Sequence, residues 1–509
     1  MTTQAATTDT QATDQSRSTR VALLPGDGIG PDIAAATRQV LDAAGARLDL
    51  VECEAGSAVF ARGIGSGLPG ETLDAIASCG VALKGPLATP LGGGGKSANV
   101  TLRKLFETHA NVRPARELPG VGGPFAGMGI DLIVVRENVE DLYAGIEYMQ
   151  TPGVAQALKV ITEHGCEKVV RTGFELARQQ GRSSVHCATK SNILKLTEGM
   201  LQRVFERIAP EYPEITPHHM LVDNCAHQLV IDPTQFEVII TTNMNGDILS
   251  DLTSGLVGGL GLAPSANIGT GVAIFEPVHG TAPDIAGTGK ANPTAMLRAA
   301  VLLLEHVGQV EVARAIEDAI VVTLEEGIDL TADIDRSGSA ASTERYTERV
   351  IANLGRRSAS AGSEARASGR PGGAVVPATP GRQPEPFGSD PRAEGLEVVG
   401  ADIFVHSMLP AQELGSSLDA IVEETPLRLR LVSNRGTKVY PDPEGTPDLV
   451  DTWRCRFVAR DAGTPVGDTE LLDLLQCIGE QHSWVHVEKL HRIDGQEAFT
   501  AAQGEDRSA

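Results

Sequence analysis

Short apolar runs alternate with helix-periodic segments along residues 20–355, a pattern typical of an α/β domain. Residues 20–45, RVALLPGDGIGPDIAAATRQVLDAAG, show one unit of it. An apolar run leads into a Gly/Pro turn, and apolar positions then recur every three or four residues. This order predicts a strand, a tight turn and an amphipathic helix.

A second pattern begins near the C-terminus. Residues 356–395 are rich in Ser, Gly, Pro and Ala without periodicity, and they predict a linker. The segment 396–500 then reads as β-α-β-β-α-β, with helices expected at 410–424 and 468–481. This order predicts a ferredoxin-like α+β domain, with Trp453 and Trp484 on its strands and in its core.

Composition narrows the class of protein. The 509 residues exceed the usual size of one hydrophobic core. The net charge of −23 argues against nucleic acid or a membrane surface as a partner, so a locally basic place would indicate an anion site. Seven scattered cysteines without a CxxC motif favour the cytoplasm, and residues 1–19 read as a disordered tail without a signal peptide.

Three motifs carry little weight. Gly65–Gly70 reads GSGLPG but follows a helical pattern rather than a strand, so we interpret it as a turn and not as a dinucleotide fingerprint. The run PLGGGGKS has Pro90 where a phosphate loop requires glycine. His218 and His219, with Cys225 and His227 nearby, fit no zinc-site spacing.

The segment VIITTNMNGDILSDLTSGLVGGLG contains a candidate metal site. A helix is expected to begin near Gly246, and Asp247 and Asp251 are then one turn apart on the same face. Asp223, at the end of another apolar stretch, is a possible third ligand. Three carboxylates suit Mg²⁺ or Mn²⁺, whereas a solvated acidic face is the alternative.

Three arginines suggest a site for a polycarboxylate, because guanidinium groups bind carboxylates through two parallel hydrogen bonds. Arg103 and Arg113 are expected to flank a helix, and Arg136 follows the run IDLIVV. Singly, each is as well explained as a surface residue. Lys190 is expected just after a short strand, and Tyr143 follows shortly after Arg136.

Taken together, these segments resemble the β-decarboxylating dehydrogenase family, which includes isocitrate, isopropylmalate and homoisocitrate dehydrogenases. The resemblance covers residues 20–355, with NMNGDILSDLTSGLVGGLGLAPSANIG similar to the family signature. The C-terminal LVSNRGTKVYP resembles the longer bacterial members. The family has a two-domain α/β fold that differs from the classical Rossmann fold, and the chain is expected to share it.

The family implies metal-dependent oxidation and decarboxylation of a 2-hydroxy acid. Asp247 and Asp251 would bind Mg²⁺ or Mn²⁺, together with Asp223 of a second subunit. Lys190, also contributed across the interface, would assist removal of the substrate hydroxyl proton, and Tyr143 would protonate C3. The expected assembly is a homodimer with shared sites, so a monomer should be inactive.

Substrate choice also follows from the resemblance. Arg103, Arg113 and Arg136 would hold the carboxylates, and Ser97 and Asn99, on a helix that opens at Ser97, would bind the third carboxylate of isocitrate. An isopropyl group would leave these polar groups unpaired, at a cost of about 1–3 kcal/mol each. Homoisocitrate and isopropylmalate dehydrogenases remain alternatives, as does a non-catalytic regulatory subunit, although none of the implied catalytic residues is missing.

The resemblance places a nicotinamide cofactor against nine residues: Thr89, Asn192, His279, Gly280, Thr281, Ala282, Asp284, Ile285 and Asn292. NADP-linked members carry Lys-Tyr where this chain has Asp284-Ile285, and Asp284 should repel a 2′-phosphate by several kcal/mol. Ala332, in place of another tyrosine, agrees with this. NAD is therefore the predicted cofactor and NADP the alternative, which Arg336 favours.

The resemblance also predicts domain boundaries. Residues 20–109 and 258–355 are expected to form a discontinuous large cofactor-binding domain, and 110–257 a small domain for dimerisation and substrate binding. The linker and the ferredoxin-like domain follow at 356–395 and 396–500.

Overall fold

The structure is a computed structural model that describes residues 18–89, 97–335, 338–358, 395–443, 447–461, 463–503 and 505. The chain divides into two compact units. The first comprises Met1–Tyr143 and Val160–Arg382, and the second comprises Ala144–Lys159 and Gln383–Ala509. The division of the first unit into a cofactor-binding and a small domain stays a prediction.

Several features predicted from the sequence lie wholly or largely outside the described residues. They are the tail at 1–19, the Gly-rich run at 90–96, Arg336 and most of the linker at 356–395.

The strands and helices follow one another along both units. In chain order the strands are β1 (Thr19–Leu24), β2 (Leu48–Glu52), β3 (Val81–Lys84), β4 (Ala110–Arg116), β5 (Asp131–Glu137), β6 (Glu147–Thr151), β7 (Val154–Ala157), β8 (Ser184–Thr189), β9 (Thr216–Leu221), β10 (Val238–Thr241), β11 (Pro264–Ile268), β12 (Ala273–Pro277), β13 (Leu396–His406), β14 (Leu427–Asn434), β15 (Thr437–Tyr440), β16 (Thr452–Ala459), β17 (Ser483–Ile493) and β18 (Gln496–Glu497). The helices are α1 (Gly30–Ala43), α2 (Ser57–Ala61), α3 (Gly70–Cys79), α4 (Ala98–Leu105), α5 (Glu163–Gln179), α6 (Thr197–Ile208), α7 (Val222–Ile231), α8 (Asn243–Leu256), α9 (Thr294–His306), α10 (Val310–Glu326), α11 (Thr343–Ala352), α12 (Ala411–Val422) and α13 (Asp468–Gly479).

One ten-stranded sheet runs through the described part of the first unit, in the order β2-β1-β3-β12-β11-β4-β5-β10-β8-β9. β4 and β11 run antiparallel to their neighbours, and the remaining pairs are parallel. The predicted order of strand, turn and helix is confirmed by β1 and α1. The turn needs Gly28, because its φ is 60° and a Cβ there would lie 2.0 Å from the carbonyl oxygen of Thr281.

The centre of this sheet brings several chain segments of the candidate site together. β5 pairs with β10 in a register that sets Arg136 opposite Thr241. α8 begins at Asn243, directly after β10, so its first turns lie beside Arg136. Since β4 pairs with β5 on the other side, Arg113 lies on a strand next to Arg136's strand.

The C-terminal domain of the second unit has the predicted β-α-β-β-α-β order. Its sheet runs β15-β14-β16-β13-β17-β18, with β15 and β18 as additions at the two edges. Leu414 and Leu418 of α12 and Leu474 of α13 are buried with Trp453, which is 3% exposed. Trp484 is 41% exposed, so its predicted core position is wrong. Trp484 lies on the face of β17 that the helices leave open to solvent.

None of the described helices combines the length and the apolar character that spanning a membrane requires.

Candidate active site

The N-terminal half of α8 presents two carboxylates one turn apart, as the sequence predicts. Asp247 and Asp251 lie on α8, with side chains 37% and 54% exposed. Gly246 lets Arg136 of β5 approach the helix, because a Cβ at this position would lie 2.6 Å from Arg136 Cγ. A buried arginine thus reaches the first turns of α8.

Arg136 is buried against α8 and held by several partners. Its Nε and Nη2 donate to Asn243 Oδ1 at 3.0 and 2.7 Å, and its Nη1 donates to Asp247 Oδ1. The guanidinium also lies over the Tyr143 ring, 4.9 Å from its centroid. Burial, reinforced by the charges of Arg103 and Arg113, lowers the pKa of Arg136 to about 10, so the group stays cationic at neutral pH.

Arg113 adds a second buried guanidinium. The sequence placed it beside a helix, but it lies within β4 and is 7% exposed. Its Nη1 donates to Ser250 Oγ at 2.7 Å and lies 3.4 Å from Asp251 Oδ1, while Nη2 lies 3.4 Å from Asp247 Oδ1. Arg113 therefore bridges the two carboxylates of α8.

Tyr143 faces the same carboxylate pair. Its hydroxyl donates to Asp247 Oδ2 at 2.6 Å. Burial, followed by this hydrogen bond, raises the pKa of Tyr143, so the phenol stays protonated at neutral pH. Burial opposes ionisation of Asp247, but Arg136 and Arg113 outweigh it and leave the pKa of Asp247 lowered. Burial raises the pKa of Asp251, which has one arginine nearby and the charge of Asp247 beside it.

Arg103 belongs to a buried ionic cluster that the sequence did not predict. It lies within α4 rather than beside it, and its Nη2 is 3.4 Å from Glu276 Oε1. Glu276 also pairs with Lys84 at 2.5 Å and accepts a hydrogen bond from Asn267 at 2.7 Å. The available signal was a charged residue inside each of two apolar runs, VALKG and AIFEP.

Ser97 and Asn99 lie at the start of α4. The predicted opening of this helix at Ser97 is confirmed, since Ser97 is its N-cap residue. The Ser97 hydroxyl accepts a hydrogen bond from Thr89 at 3.1 Å. Asn99 Oδ1 is buried without a hydrogen-bond partner among the described residues, whereas Nδ2 donates to Leu87 O at 3.4 Å. The amide is therefore an unfilled polar position near Thr89.

Lys190 and Asp223 form a separate pair. Lys190 follows β8, as predicted, and its Nζ lies 2.7 Å from Asp223 Oδ1. Asp223 lies in the first turn of α7, and its side chain is 63% exposed. Among the described residues of one chain, no three His, Cys, Asp or Glu side chains converge as metal ligands. Asp223 is thus not brought to Asp247 and Asp251 within a single chain.

The loop predicted to bind the cofactor follows β12. His279 Nδ1 faces its neighbour's carbonyl, Gly280 O, at 2.9 Å, while its Nε2 is buried without a hydrogen-bond partner in the described structure. Thr281 O accepts from the Ile29 amide at 2.9 Å, which fixes the loop to the start of α1. Ala282 has a left-handed backbone, and Asn292 donates to Asp333 at 2.8 Å. Asn192 is exposed in the turn after Lys190.

The motifs set aside in the sequence have structural roles. Gly65–Gly70 connects α2 to α3. His218 stacks on His186, with ring centroids 4.6 Å apart, and His219 bonds to Thr189 Oγ1 at 2.9 Å.

Curated relatives match this chain over nearly its whole length. It is 54% identical to "Isocitrate dehydrogenase [NADP]" of Thermus thermophilus over 96% of both chains. It is 37% identical to the protein of the same name from Rickettsia conorii, over 96% of this chain and 99% of that one. A crystal structure of a Thermus thermophilus protein, 55% identical, superposes with a TM-score of 0.89 and covers 96% of each chain.

The NAD preference predicted from the sequence is wrong, because both relatives are named for NADP. The predicted repulsion of several kcal/mol requires a desolvated carboxylate beside the phosphate. Asp284 is instead exposed, and exposed charge pairs contribute only about 0–1 kcal/mol. Ile285 packs against the hydrophobic core of the first unit. These two residues therefore do not determine the cofactor.

Family models agree with the fold on both parts of the chain. Residues 396–505 match the model of the bacterial isocitrate dehydrogenase C-terminal domain. Residues 20–350 match the isocitrate/isopropylmalate dehydrogenase model, and they contain the arginine, carboxylate and tyrosine cluster on α8. The predicted fold is confirmed, and the chain belongs to the isocitrate/isopropylmalate dehydrogenase family.

Proposed function

We propose that the protein catalyses oxidative decarboxylation of isocitrate to 2-oxoglutarate and CO₂ with reduction of NADP. The observation that carries the proposal is the convergence of buried Arg113 and Arg136 on the carboxylates of Asp247 and Asp251, beside Tyr143. In a chain of net charge −23, this basic cluster is suited to a small polyanion. The names of the relatives support both the reaction and NADP.

The arginines bind and orient the substrate in this proposal. Arg113 and Arg136 are almost fully buried, so their planar guanidinium groups are fixed before substrate arrives. Arg103 is held from behind by Glu276. Three such groups can bind three carboxylates, and buried bidentate pairs of this kind are stronger than exposed ones. Ser97 and Asn99 complete the pocket for the third carboxylate of isocitrate.

Asp247 and Asp251 fit a divalent metal. They present only oxygen donors, and both side chains keep open faces. Mg²⁺ and Mn²⁺ are bound by one or two carboxylates, completed by water and substrate oxygens. When bound, such an ion acidifies the C2 hydroxyl and stabilises the charge that develops as CO₂ departs. Asp223 is the proposed third ligand, contributed by the partner subunit.

Lys190 and Tyr143 are proposed to move the protons. Lys190, held by Asp223, would take the proton of the C2 hydroxyl as hydride leaves C2. Tyr143 keeps its hydroxyl proton and points it at the carboxylate pair, so it would donate that proton to C3 after CO₂ has left. The two groups then act at different carbons of one substrate.

A homodimer with shared sites accounts for the separation of Lys190 and Asp223 from the α8 carboxylates. α7 and α8 carry exposed apolar side chains that suit a subunit interface: Val230 at 45%, Ile231 at 62%, Met244 at 41% and Ile248 at 59%. Pairing of these helices would bring the Lys190–Asp223 pair of one subunit towards the α8 carboxylates of the other.

The cofactor would lie against Thr89, Asn192, Asn292 and the loop from His279 to Ile285. This is supported by the unpartnered, buried Nε2 of His279 and by the attachment of the loop to the first turn of α1. A cytoplasmic setting is consistent with seven free cysteines.

Initial rates with isocitrate, homoisocitrate and 3-isopropylmalate, each with NADP and Mn²⁺, test this proposal. Isocitrate should give the highest kcat/KM, with homoisocitrate the nearer competitor, since one methylene is worth about 1–3 kcal/mol. A higher value for either competitor would contradict the substrate assignment. No turnover with any of them would favour a regulatory subunit.

A further inference from the structure

A β-hairpin leaves the chain directly after Tyr143. The chain passes from the first unit to the second between Tyr143 and Ala144, and it returns between Lys159 and Val160. Within this excursion, β6 and β7 form a separate two-stranded sheet. A two-stranded hairpin is marginally stable by itself in water, so its order depends on whatever it packs against.

The tip of this hairpin is held by the C-terminal domain. Along β6 the exposure falls from 55% at Tyr148 to 5% at Thr151. Thr151 Oγ1 donates to Asp451 Oδ1 at 3.0 Å, and the buried Thr452 hydroxyl donates to Thr151 Oγ1 at 3.5 Å. Asp451 is itself fixed, since its other oxygen lies 3.3 Å from His406 Nε2. These contacts join residues 300 positions apart in sequence.

The base of the hairpin is fixed to α8. Asp141 N donates to Val160 O at 2.7 Å, which closes the neck of the excursion. The Asp141 side chain is fully buried, and its carboxylate accepts from the amides of Met244 at 2.9 Å and Leu142 at 2.8 Å. Tyr143 follows two residues later, in the 3-10 turn Leu142–Ala144 that leads into the hairpin. A shift of the hairpin is therefore transmitted to Tyr143 through one short turn.

We propose that Thr151 and Asp451 are positioning residues through which the C-terminal domain sets the orientation of the Tyr143 ring. The inference rests on the proposed proton-donor role of Tyr143. With the neck fixed on α8 and the tip fixed on Asp451, the turn between them has one geometry, which places the hydroxyl 2.6 Å from Asp247 Oδ2. Releasing the tip leaves the neck intact but lets the turn, and hence the ring, adopt other positions.

The test isolates the step assigned to Tyr143. Wild-type enzyme with 2-oxoglutarate, NADPH and Mn²⁺ in D₂O should exchange the C3 protons of 2-oxoglutarate, as followed by NMR. Tyr143→Phe should abolish the exchange. Thr151→Val, which keeps the shape and removes the hydroxyl, should slow the exchange and kcat about tenfold, because misplacement by an ångström costs up to about 100-fold. KM for isocitrate should change less than about twofold, since the arginines are untouched.

Three further variants separate positioning from a general loss of structure. Thr151→Ser should restore the exchange rate, because it keeps the hydroxyl. Asp451→Ala should match Thr151→Val, and the double variant should be no slower than the slower single one. Ser417→Ala breaks a comparable hydrogen bond in the same domain, to His482 at 2.8 Å, and should leave the exchange unchanged.

Two failures are distinguishable. Equal exchange by wild type and Tyr143→Phe would remove the proposed role of Tyr143 and this inference with it. If Tyr143→Phe is inactive while Thr151→Val keeps the wild-type rate, or if the two single losses multiply in the double variant, the positioning role is overturned and the proposed function stands.

Discussion

Replacing Glu276 with Gln should destabilise the first unit strongly, although the two side chains have nearly the same shape. Lys84 and Glu276 are 2% and 6% exposed, and their charged atoms are 2.5 Å apart. Removing one partner of such a pair leaves an uncompensated buried charge, which costs about 3–5 kcal/mol. The retained volume excludes a cavity contribution, and Gln can still accept the hydrogen bond from Asn267.

The pH dependence of this contribution has a definite sign. Burial acts to raise the pKa of Glu276, but the charges of Lys84 and Arg103 outweigh it and hold the pKa well below its ordinary value of 4.5. A lowered carboxylate pKa stabilises the fold above the unfolded value, and this stabilisation is lost as the pH falls through the folded value. At pH 7 the full contribution of Glu276 is therefore present.

The free energy of unfolding should be measured in urea by far-UV circular dichroism. Tryptophan fluorescence would follow the wrong unit, because the only two tryptophans, Trp453 and Trp484, lie in the C-terminal domain. Lys84→Met combined with Glu276→Gln should cost less than the sum of the single losses, since no lone charge remains. A loss below about 1 kcal/mol for Glu276→Gln would refute the reasoning.

Three other predictions follow from the same structure. Thorough chelation should abolish turnover and Mg²⁺ or Mn²⁺ should restore it, with Asp251→Asn raising the metal concentration needed; full activity under chelation would contradict the metal site. Lys190→Met and Asp251→Asn homodimers should each be nearly inactive, and exchange of their subunits should recover part of the activity; proven exchange without recovery would place Lys190 and Asp251 in one chain. Burial and the charge of Glu317 raise the pKa of Glu305 to about 7, so the wild type should lose stability between pH 4.5 and 7. Glu305→Gln should therefore melt later than wild type at pH 8, by an amount worth about 2 kcal/mol, and equally at pH 4; equal melting at pH 8 would contradict this.

Local patterns predicted the elements that carry the chemistry. Residues four apart on a helix share a face, so Asp247 and Asp251 could be paired from sequence, and the end of an apolar run located Lys190. The alternation of apolar and helical segments predicted both sheets and their helices. These inferences succeeded because each depends on neighbours within one or two turns of the chain.

Long-range pairings carried no such local signal. Lys84 and Glu276 meet because β3 and β12 are adjacent strands, a fact that neither strand states in its own sequence. The contact between Thr151 and Asp451 is likewise invisible before folding. The NAD prediction failed for a related reason, because the sequence shows the charge of Asp284 and not its exposure to solvent, which weakens that charge.

The central claim is tested most directly with isocitrate carrying ¹³C in the carboxylate attached to C3. With NADP and Mn²⁺, the enzyme should release ¹³CO₂ and form NADPH in equal amounts, and Asp251→Asn should lower both together. NADPH without labelled CO₂, or no NADPH from isocitrate at saturating metal, would contradict oxidative decarboxylation at this site.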